Sequence, residues 1–353
     1  MKAIVIDGAK TAAFRTVAQE PLGPGDVLVR LLATGICGTD VEIFDGTMPY
    51  FTAGMARYPV IPGHEWVGEI VETGTAVTGF RPGDRVVGEC SVGCMACATC
   101  LAGAYHRCAR RTETGILNRN GGFAEYVTFP ALFLHPIARH VPIECAAMVE
   151  PAAVAFNGVR RAGVSPRDSV AVFGDGPIGL LVAMMARAFA ARHVTVVGGT
   201  PHRLALARDL GVDATIDIGD APDIAAALQD ASGAAPTVAI EATGNPAAVE
   251  TAINAVATGG RIVLLGLFTG QRPRALDLDR LVIGEISLRG ALGSPGVWPD
   301  VIRLIESGRI DPRPLVSETL PLSGFVDGIA RVRARSGVKV MIRHDLREAG
   351  RVA

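Results

Sequence analysis

Five cysteines fall within a short stretch of this chain, Cys90, Cys94, Cys97, Cys100 and Cys108. Four of them are spaced Cys94-x2-Cys97-x2-Cys100-x7-Cys108. Two-residue gaps let neighbouring thiolates converge on one ion, and the longer loop returns a fourth sulfur to close a tetrahedron. Four thiolates hold zinc with no open position, so this set predicts a structural ion. A second group lies earlier, in Cys37-Gly38-Thr39-Asp40 and Gly63-His64-Glu65. A lone cysteine or histidine is most often a packed core residue. Together these supply a thiolate, an imidazole and a carboxylate, the ligand types of a catalytic zinc that keeps a position open. Glu150, followed by Pro151 at a helix start, is a further carboxylate that could join them. Equally, the helix macrodipole alone favours an acid there.

A third pattern is Ser-Val-Ala-Val-Phe-Gly174-Asp-Gly176-Pro177-Ile178-Gly179. It follows a short apolar strand and opens a helix, which makes the three glycines a dinucleotide turn. Gly174 allows the tight bend, Gly176 lets backbone amides approach a pyrophosphate, and Gly179 lets helix and strand pack closely. Such sites usually carry an acid about twenty residues on, bonded to the adenosine ribose. Here the second strand ends Val197-Gly198-Gly199-Thr200-Pro201-His202-Arg203, with Gly198 where the acid is expected. An acid would repel a 2′-phosphate, whereas glycine leaves room and Thr200, His202 and Arg203 offer donors. The expectation is NADP in preference to NAD.

The elements that must position these groups change character along the chain. The first part reads as short strands and turns, with Val27–Leu32, Trp66–Glu72, Arg85–Gly88 and Ala124–Phe129 bounded by Gly, Pro and Asp. From Met148 onward helical spacing alternates with short strands at Ser169–Phe173, His193–Val197, Ala214–Ile216, Val238–Ile240 and Ile262–Leu265. That alternation predicts a parallel, doubly wound sheet. The final segment mixes a helix at Pro299–Glu306 with strand-like pieces such as Val338–Ile342, and is expected to return to the first domain. The predicted division is residues 1–151, 152–289 and 290–353.

Composition narrows the class further. The 353 residues are 49% hydrophobic and 20% charged, enough for about two domains. A net charge of −1 gives no footprint for nucleic acid or anionic membrane. Seven cysteines, five of them clustered, favour reduced thiols in a cytoplasm over a disulfide framework. The longest apolar run, Ile178 to Ala191, is interrupted by Arg187 and too short to span a bilayer.

The order GICGTD, GHEWVGEIVETG, GDRV before the cysteine knot, GGFAEYV, VEPAAVA and GDGPIG resembles the zinc-dependent medium-chain alcohol dehydrogenases over essentially the whole length. The likeness is to the polyol and sugar branch, with sorbitol, glucose, threonine and aminocyclitol dehydrogenases. It implies an α/β chain with a GroES-like β-rich catalytic domain and a Rossmann cofactor domain. It also implies two zinc ions per chain. Cys37 and His64 would hold the catalytic ion, with Glu65 as a ligand or exchangeable ligand. Glu150 stands where this branch has glutamate and ethanol-type enzymes a second cysteine. Cys94, Cys97, Cys100 and Cys108 match the structural lobe, and Cys90 falls outside it. Thr39 would relay the alcohol proton, and Asp40 would fix the tautomer of His64. Many relatives have histidine where this chain has Glu42, which either passes a proton or is simply solvated. Pro177, Ile178 and Thr243 are counted with Gly174, Gly176 and Gly179 among the dinucleotide contacts.

The reading that follows is hydride transfer between a nicotinamide and a secondary alcohol of a polyol, sugar or (amino)cyclitol, with Trp66 offering a face for ring stacking or else lying in the core. Two alternatives are an NADPH-dependent reductase of simple ketones or aldehydes, and a non-catalytic zinc- and nucleotide-binding regulator. The resemblance suggests a homodimer or homotetramer, with a small-molecule substrate and neither nucleic acid nor membrane as partner.

Overall fold

The computed structural model describes residues 1–346. The chain folds as two compact units, Met1–Glu150 together with the segment from Ser294, and Pro151–Gly293. The first is β-rich and GroES-like, and the second is a Rossmann unit built on a parallel sheet.

The hub of the first unit is the 11-residue strand Asp26–Ile36. Its alternation of Val, Leu and Ile gives it a largely buried course, as a central strand requires. It pairs antiparallel with Glu65–Thr73, Tyr126–Pro130 and Lys339–Arg343 in a seven-stranded sheet. Register then does the positioning. Gly35 lies opposite Glu65, and Ile36 lies opposite Val340. Hence Cys37, His64 and Lys339 all sit at one end of three neighbouring strands, although they are far apart in sequence. Gly35 cannot be replaced there, because a Cβ on it would strike the Glu65 carboxylate.

One core of this unit gathers Ile4, Ile6, Ile36, Ile43, Phe123 and Phe325 beneath that strand end. Trp66, Phe129 and Val29 belong to another core within the same unit. The cysteine lobe is a small three-stranded sheet of Ser91–Val92, Thr112–Thr114 and Asn118–Arg119, with the short helix Ala98–Leu101.

In the second unit, six parallel strands run in the order Ala214–Asp217, His193–Gly198, Ser169–Phe173, Val238–Glu241, Arg261–Leu264 and Ser287–Gly290. The first strand in sequence, Ser169–Phe173, is therefore central, and the strand order reverses beside it. It is buried throughout, as a strand covered by helices on both faces must be. In open parallel sheets a ligand binds at the carboxyl ends of the strands, at such a reversal. The glycine turn emerges there, leading into the helix Pro177–Ala188.

Candidate functional site

Cys37 leaves the hub strand and caps the helix Gly38–Asp45. Asp40, in the first turn of that helix, is fully buried. One of its oxygens accepts the Cys37 amide at 2.8 Å, and the other accepts the Gly63 amide at 3.1 Å. Asp40 thereby ties together the two loops that carry Cys37 and His64. The tautomer role expected for it is not the geometry found, since its Oδ1 lies 3.9 Å from His64 Nδ1, beyond hydrogen-bond reach.

Cys37, His64 and Glu65 each present a ligand atom within 4.8 Å of the others. His64 is 4% exposed, and its Nδ1 is buried with no hydrogen-bond partner. Burial alone would depress the imidazole, yet Cys37, Asp40 and Glu150 outweigh it and raise its pKa well above the usual value. His64 meets Cys37 through its other ring nitrogen, so a divalent cation held between the two would take that nitrogen rather than Nδ1.

Glu65 is already engaged. Its two oxygens accept from Lys339 Nζ at 2.8 and 2.6 Å, and Lys339 also donates to the Ile36 carbonyl at 3.2 Å. Both side chains are within 2% of complete burial. Burial pulls Lys339 down, but Glu65 and Cys37 overcome it, so the pKa rises and the ammonium stays charged. Sequence reasoning passed over Lys339. The signal was a charged residue opening the apolar stretch Lys-Val-Met-Ile.

Glu150 sits in the first turn of the helix Val149–Ala162 and is buried. Burial pushes its carboxyl up to about 7, with His64 and Lys339 pulling the other way. Such a carboxyl is poised to exchange a proton for a metal near neutral pH.

Thr39 is half-buried on the helix that Cys37 caps, and Glu42 lies three residues on, one above the other on the helix surface. Glu42 is not simply solvated: its Oε2 is buried without a partner, and burial raises its pKa. Cys90 packs against the apolar core near this set, and burial, with Glu150 and Glu113, pushes its thiol well up. Of the two places open to Trp66, the structure gives it the core. At 1% exposure it meets Phe129 edge-on, centroids 5.1 Å apart, and can stack on no substrate ring. Its place in the sheet opposite Thr34 turns it into the core.

In the lobe, the sulfurs of Cys94 and Cys100 are 3.9 Å apart, and those of Cys97 and Cys108 are 3.8 Å apart. Four sulfurs at about 2.3 Å from one zinc would stand about 3.8 Å from each other. All four are free thiols, and Cys90 is outside the cluster. Arg110 donates to Cys94 at 3.2 Å, and its amide donates to Cys108 at 3.3 Å. The Ala96 amide leads in drawing the Cys94 thiol down to about 6, while burial lifts Cys100 to about 11.

In the second unit, Gly174 has φ 124°, a conformation that favours glycine. A Cβ on Gly179 would collide with the Gly174 carbonyl, whereas one on Gly176 would meet nothing within 4 Å. That open side at the start of the helix Pro177–Ala188, which has no side-chain cap, fits a pyrophosphate. Pro177 and Ile178 form the first helical turn. Thr243 abuts the turn, its Cγ2 lying 3.1 Å from where a Gly174 Cβ would be. Its amide donates to Glu241 at 2.6 Å.

At the end of the second strand the expectation changes. The space beside Gly198 is filled, since a Cβ there would lie 2.5 Å from Asp175 Oδ2. That oxygen accepts the Gly199 and Thr200 amides at 2.9 and 2.8 Å. Arg203, expected to be an open donor, is 7% exposed, with a guanidinium nitrogen 3.9 Å from Asp175 Oδ1. Thr200 is half-buried and His202 exposed.

Comparison with known proteins agrees with this architecture. The alcohol dehydrogenase GroES-like domain matches residues 23–139, and the zinc-binding dehydrogenase domain matches residues 177–307. L-idonate 5-dehydrogenase of Vitis vinifera is 34% identical, covering 95% of this chain and 92% of that protein. L-threonine 3-dehydrogenase of Streptomyces avermitilis is 35% identical, covering 97% and 99%. A zinc-binding dehydrogenase of Sinorhizobium meliloti, solved bound to NADP, superposes with a TM-score of 0.90 at 30% identity, covering 97% and 98%. The chain belongs to the zinc-dependent medium-chain alcohol dehydrogenases, in their polyol branch, and is an NAD(P)-dependent dehydrogenase.

Proposed function

We propose that the chain interconverts a secondary alcohol of a polyol, sugar or (amino)cyclitol and its ketone. The observation that carries this is the Cys37, His64 and carboxylate group, beside a threonine hydroxyl on the same short helix. Cys37 and His64 would hold the catalytic zinc. Glu150 would complete the set, because Lys339 occupies both oxygens of Glu65. Zinc bound there would polarise the substrate hydroxyl and bring its pKa toward neutrality. Cys94, Cys97, Cys100 and Cys108 would hold the structural ion.

Thr39 accepts the hydroxyl proton as it leaves, and Glu42, on the same helix surface, is the next acceptor outward. Asp40 keeps the Cys37 and Gly63 loops at fixed separation while this happens. A nicotinamide dinucleotide would take up the hydride, and Gly174, Gly176 and Gly179 would hold its pyrophosphate. The NADP preference expected from Gly198, Thr200, His202 and Arg203 loses support, since Arg203 and the space beside Gly198 are both engaged by Asp175.

The substrate class is supported by two similarities, to dehydrogenases of idonate and threonine, both polar and hydroxyl-bearing. The buried carboxylates point the same way. A site that hydrogen-bonds hydroxyls rejects analogues lacking them by large factors. A screen of dinucleotide reduction should therefore show higher kcat/KM for vicinal diols and ring polyols than for butanol or 2-propanol. Simple alkyl alcohols clearly ahead would remove the polyol reading and leave the dehydrogenase standing.

A homo-oligomer also fits. The strand Ser287–Gly290 ends the six-stranded sheet with all four residues exposed, and Leu278, Val282 and Ile283 beside it are 62%, 76% and 80% exposed. Apolar exposure next to an open strand edge marks an association surface. Light scattering that finds a monomer at micromolar concentration would exclude it. The free thiols of both metal sets fit a reducing, cytoplasmic compartment.

A further inference from the structure

We infer that Asp175 is the residue that selects the dinucleotide, and that it selects NAD(H) over NADP(H). The inference rests on the dinucleotide reading of the glycine turn. In such sites the acid that bonds the adenosine ribose ordinarily stands at the end of the second strand. This chain has Gly198 there, but the position is not vacant of charge. The carboxylate of Asp175, the residue between Gly174 and Gly176, reaches across to the end of the strand His193–Gly198. Its Oδ2 stands 2.5 Å from the point where a Gly198 Cβ would be, which is where the missing acid's own side chain would begin. The acid has changed its place in the sequence and kept its place in space.

Two amides and one guanidinium hold it there. Gly199 and Thr200 donate to Oδ2 at 2.9 and 2.8 Å, and the guanidinium of Arg203 faces Oδ1 at 3.9 Å. The amides come from the residues directly after the strand, so the carboxylate is fixed at the strand end before any ligand arrives. A ribose hydroxyl can donate to an oxygen so placed. A 2′-phosphate would bring two negative charges against it in a poorly solvated corner, since the Asp175 side chain is 10% exposed. Arg203 cannot compensate, because it is nearly buried and its charge already faces Asp175. Glycine at 198 follows from the same geometry: any side chain there would displace Asp175.

The test is calorimetric titration of the zinc-loaded, full-length protein with NADH and with NADPH, alongside thermal unfolding of each variant. Wild type should bind NADH at least about tenfold more tightly, the scale of one charge-assisted contact. Asp175→Asn keeps an acceptor for the amides and removes the charge, so it should move the affinity ratio toward NADPH by about tenfold or more. Gly198→Asp alone should lower the unfolding temperature and gain no affinity for NADH. Combining Asp175→Gly with Gly198→Asp moves the acid from turn to strand, and NADH preference should persist. This variant decides the matter if Asp175→Asn fails to fold, and a preference for NADPH in it would overturn the inference. Wild type binding NADPH more tightly, or a folded Asp175→Asn with an unchanged ratio, would also overturn it. Wild type binding neither dinucleotide would instead defeat the dinucleotide reading, and this inference with it.

Discussion

The cysteine lobe and the Cys37 set lie in the same unit and would take the same metal, yet they are built in opposite ways. The lobe draws its four sulfurs from one short loop, places them at tetrahedral spacing and gives them amide donors and the guanidinium of Arg110. The Cys37 set draws its groups from the ends of neighbouring strands and a helix that are far apart in sequence. It surrounds them with buried charge in Asp40, Glu65, Glu150 and Lys339. In a closed set the binding energy of the ion is folding energy. In an open set the fold must stand first, so that a position remains for substrate. The lobe needs its ion to be a structure, and the Cys37 set needs a structure to hold its ion.

The sharpest way to break that contrast is a pair of serine substitutions. Cys100→Ser should cost most of the fold's stability, read as loss of a cooperative unfolding transition. Cys37→Ser should leave a folded, inactive protein with one zinc fewer. Metal analysis should find two zinc ions in fully active wild type, and at most one would end the comparison.

Next in size is the charge pair that only the open set possesses. Lys339→Met leaves Glu65 buried and unpaired, a change that typically costs about 3–5 kcal/mol. The shift should appear in the denaturation midpoint. Adding Glu65→Met should recover much of the loss, because an apolar pair can replace a buried ion pair. If Lys339→Met is as stable as wild type, Glu65 has another partner and the ligand choice made for Glu150 falls.

Thr39→Ala should reduce turnover by roughly a hundredfold, within the usual range for proton transfer, while Thr39→Ser keeps most of it. Stability and zinc content should not change. Equal turnover in Thr39→Ala and wild type would take the threonine out of the relay.

The smallest effect is a pH dependence with opposite signs in the metal-free and metal-bound protein. His64 has a raised pKa when no metal holds it, through Cys37, Asp40 and Glu150 acting against burial. Its contribution to the metal-free fold is complete below the unfolded value of about 6.5 and is lost as pH rises through the folded value. Zinc requires the neutral imidazole, so its affinity runs the other way. The rise in unfolding temperature on adding zinc to metal-free protein should be larger at about pH 8 than at about pH 6.5. A larger rise at the acid end would show that His64 is not a ligand.

The two sets also differ in how far they could be read in advance. The lobe was legible because its chemistry is local, four cysteines at short spacing. So was the glycine turn, where a strand, three glycines and a helix follow one another. Five of the six strands of the Rossmann unit were announced by alternating short apolar runs and helical periods, and the exposed edge strand Ser287–Gly290 was not. Less of the open set was legible, since Cys37, His64 and Glu150 were found by type and resemblance while their charged surroundings were not. Lys339 could not be paired with Glu65 until the register put both at the end of the hub strand. Asp40 was expected to face His64, and its grip on the Cys37 and Gly63 amides became visible only in the fold. For Trp66 a face for a substrate ring and a place in the core were both open, and packing against Phe129 decided for the core.

What the residues alone determined is therefore whatever depends on neighbours along the chain: a thiolate knot, a phosphate-binding turn, a β-rich part followed by alternating strands and helices. Tertiary structure alone decided which charges meet. Sheet pairing brought Lys339 to Glu65 across the width of the sequence, and parallel pairing of Ser169–Phe173 with His193–Gly198 brought Asp175 to the place left by Gly198. The reason is physical. A metal-binding spacing or a tight turn is set by the reach of a few residues, whereas the energy of a buried charge depends on every group packed around it. That surrounding is assembled only when distant strands find their register.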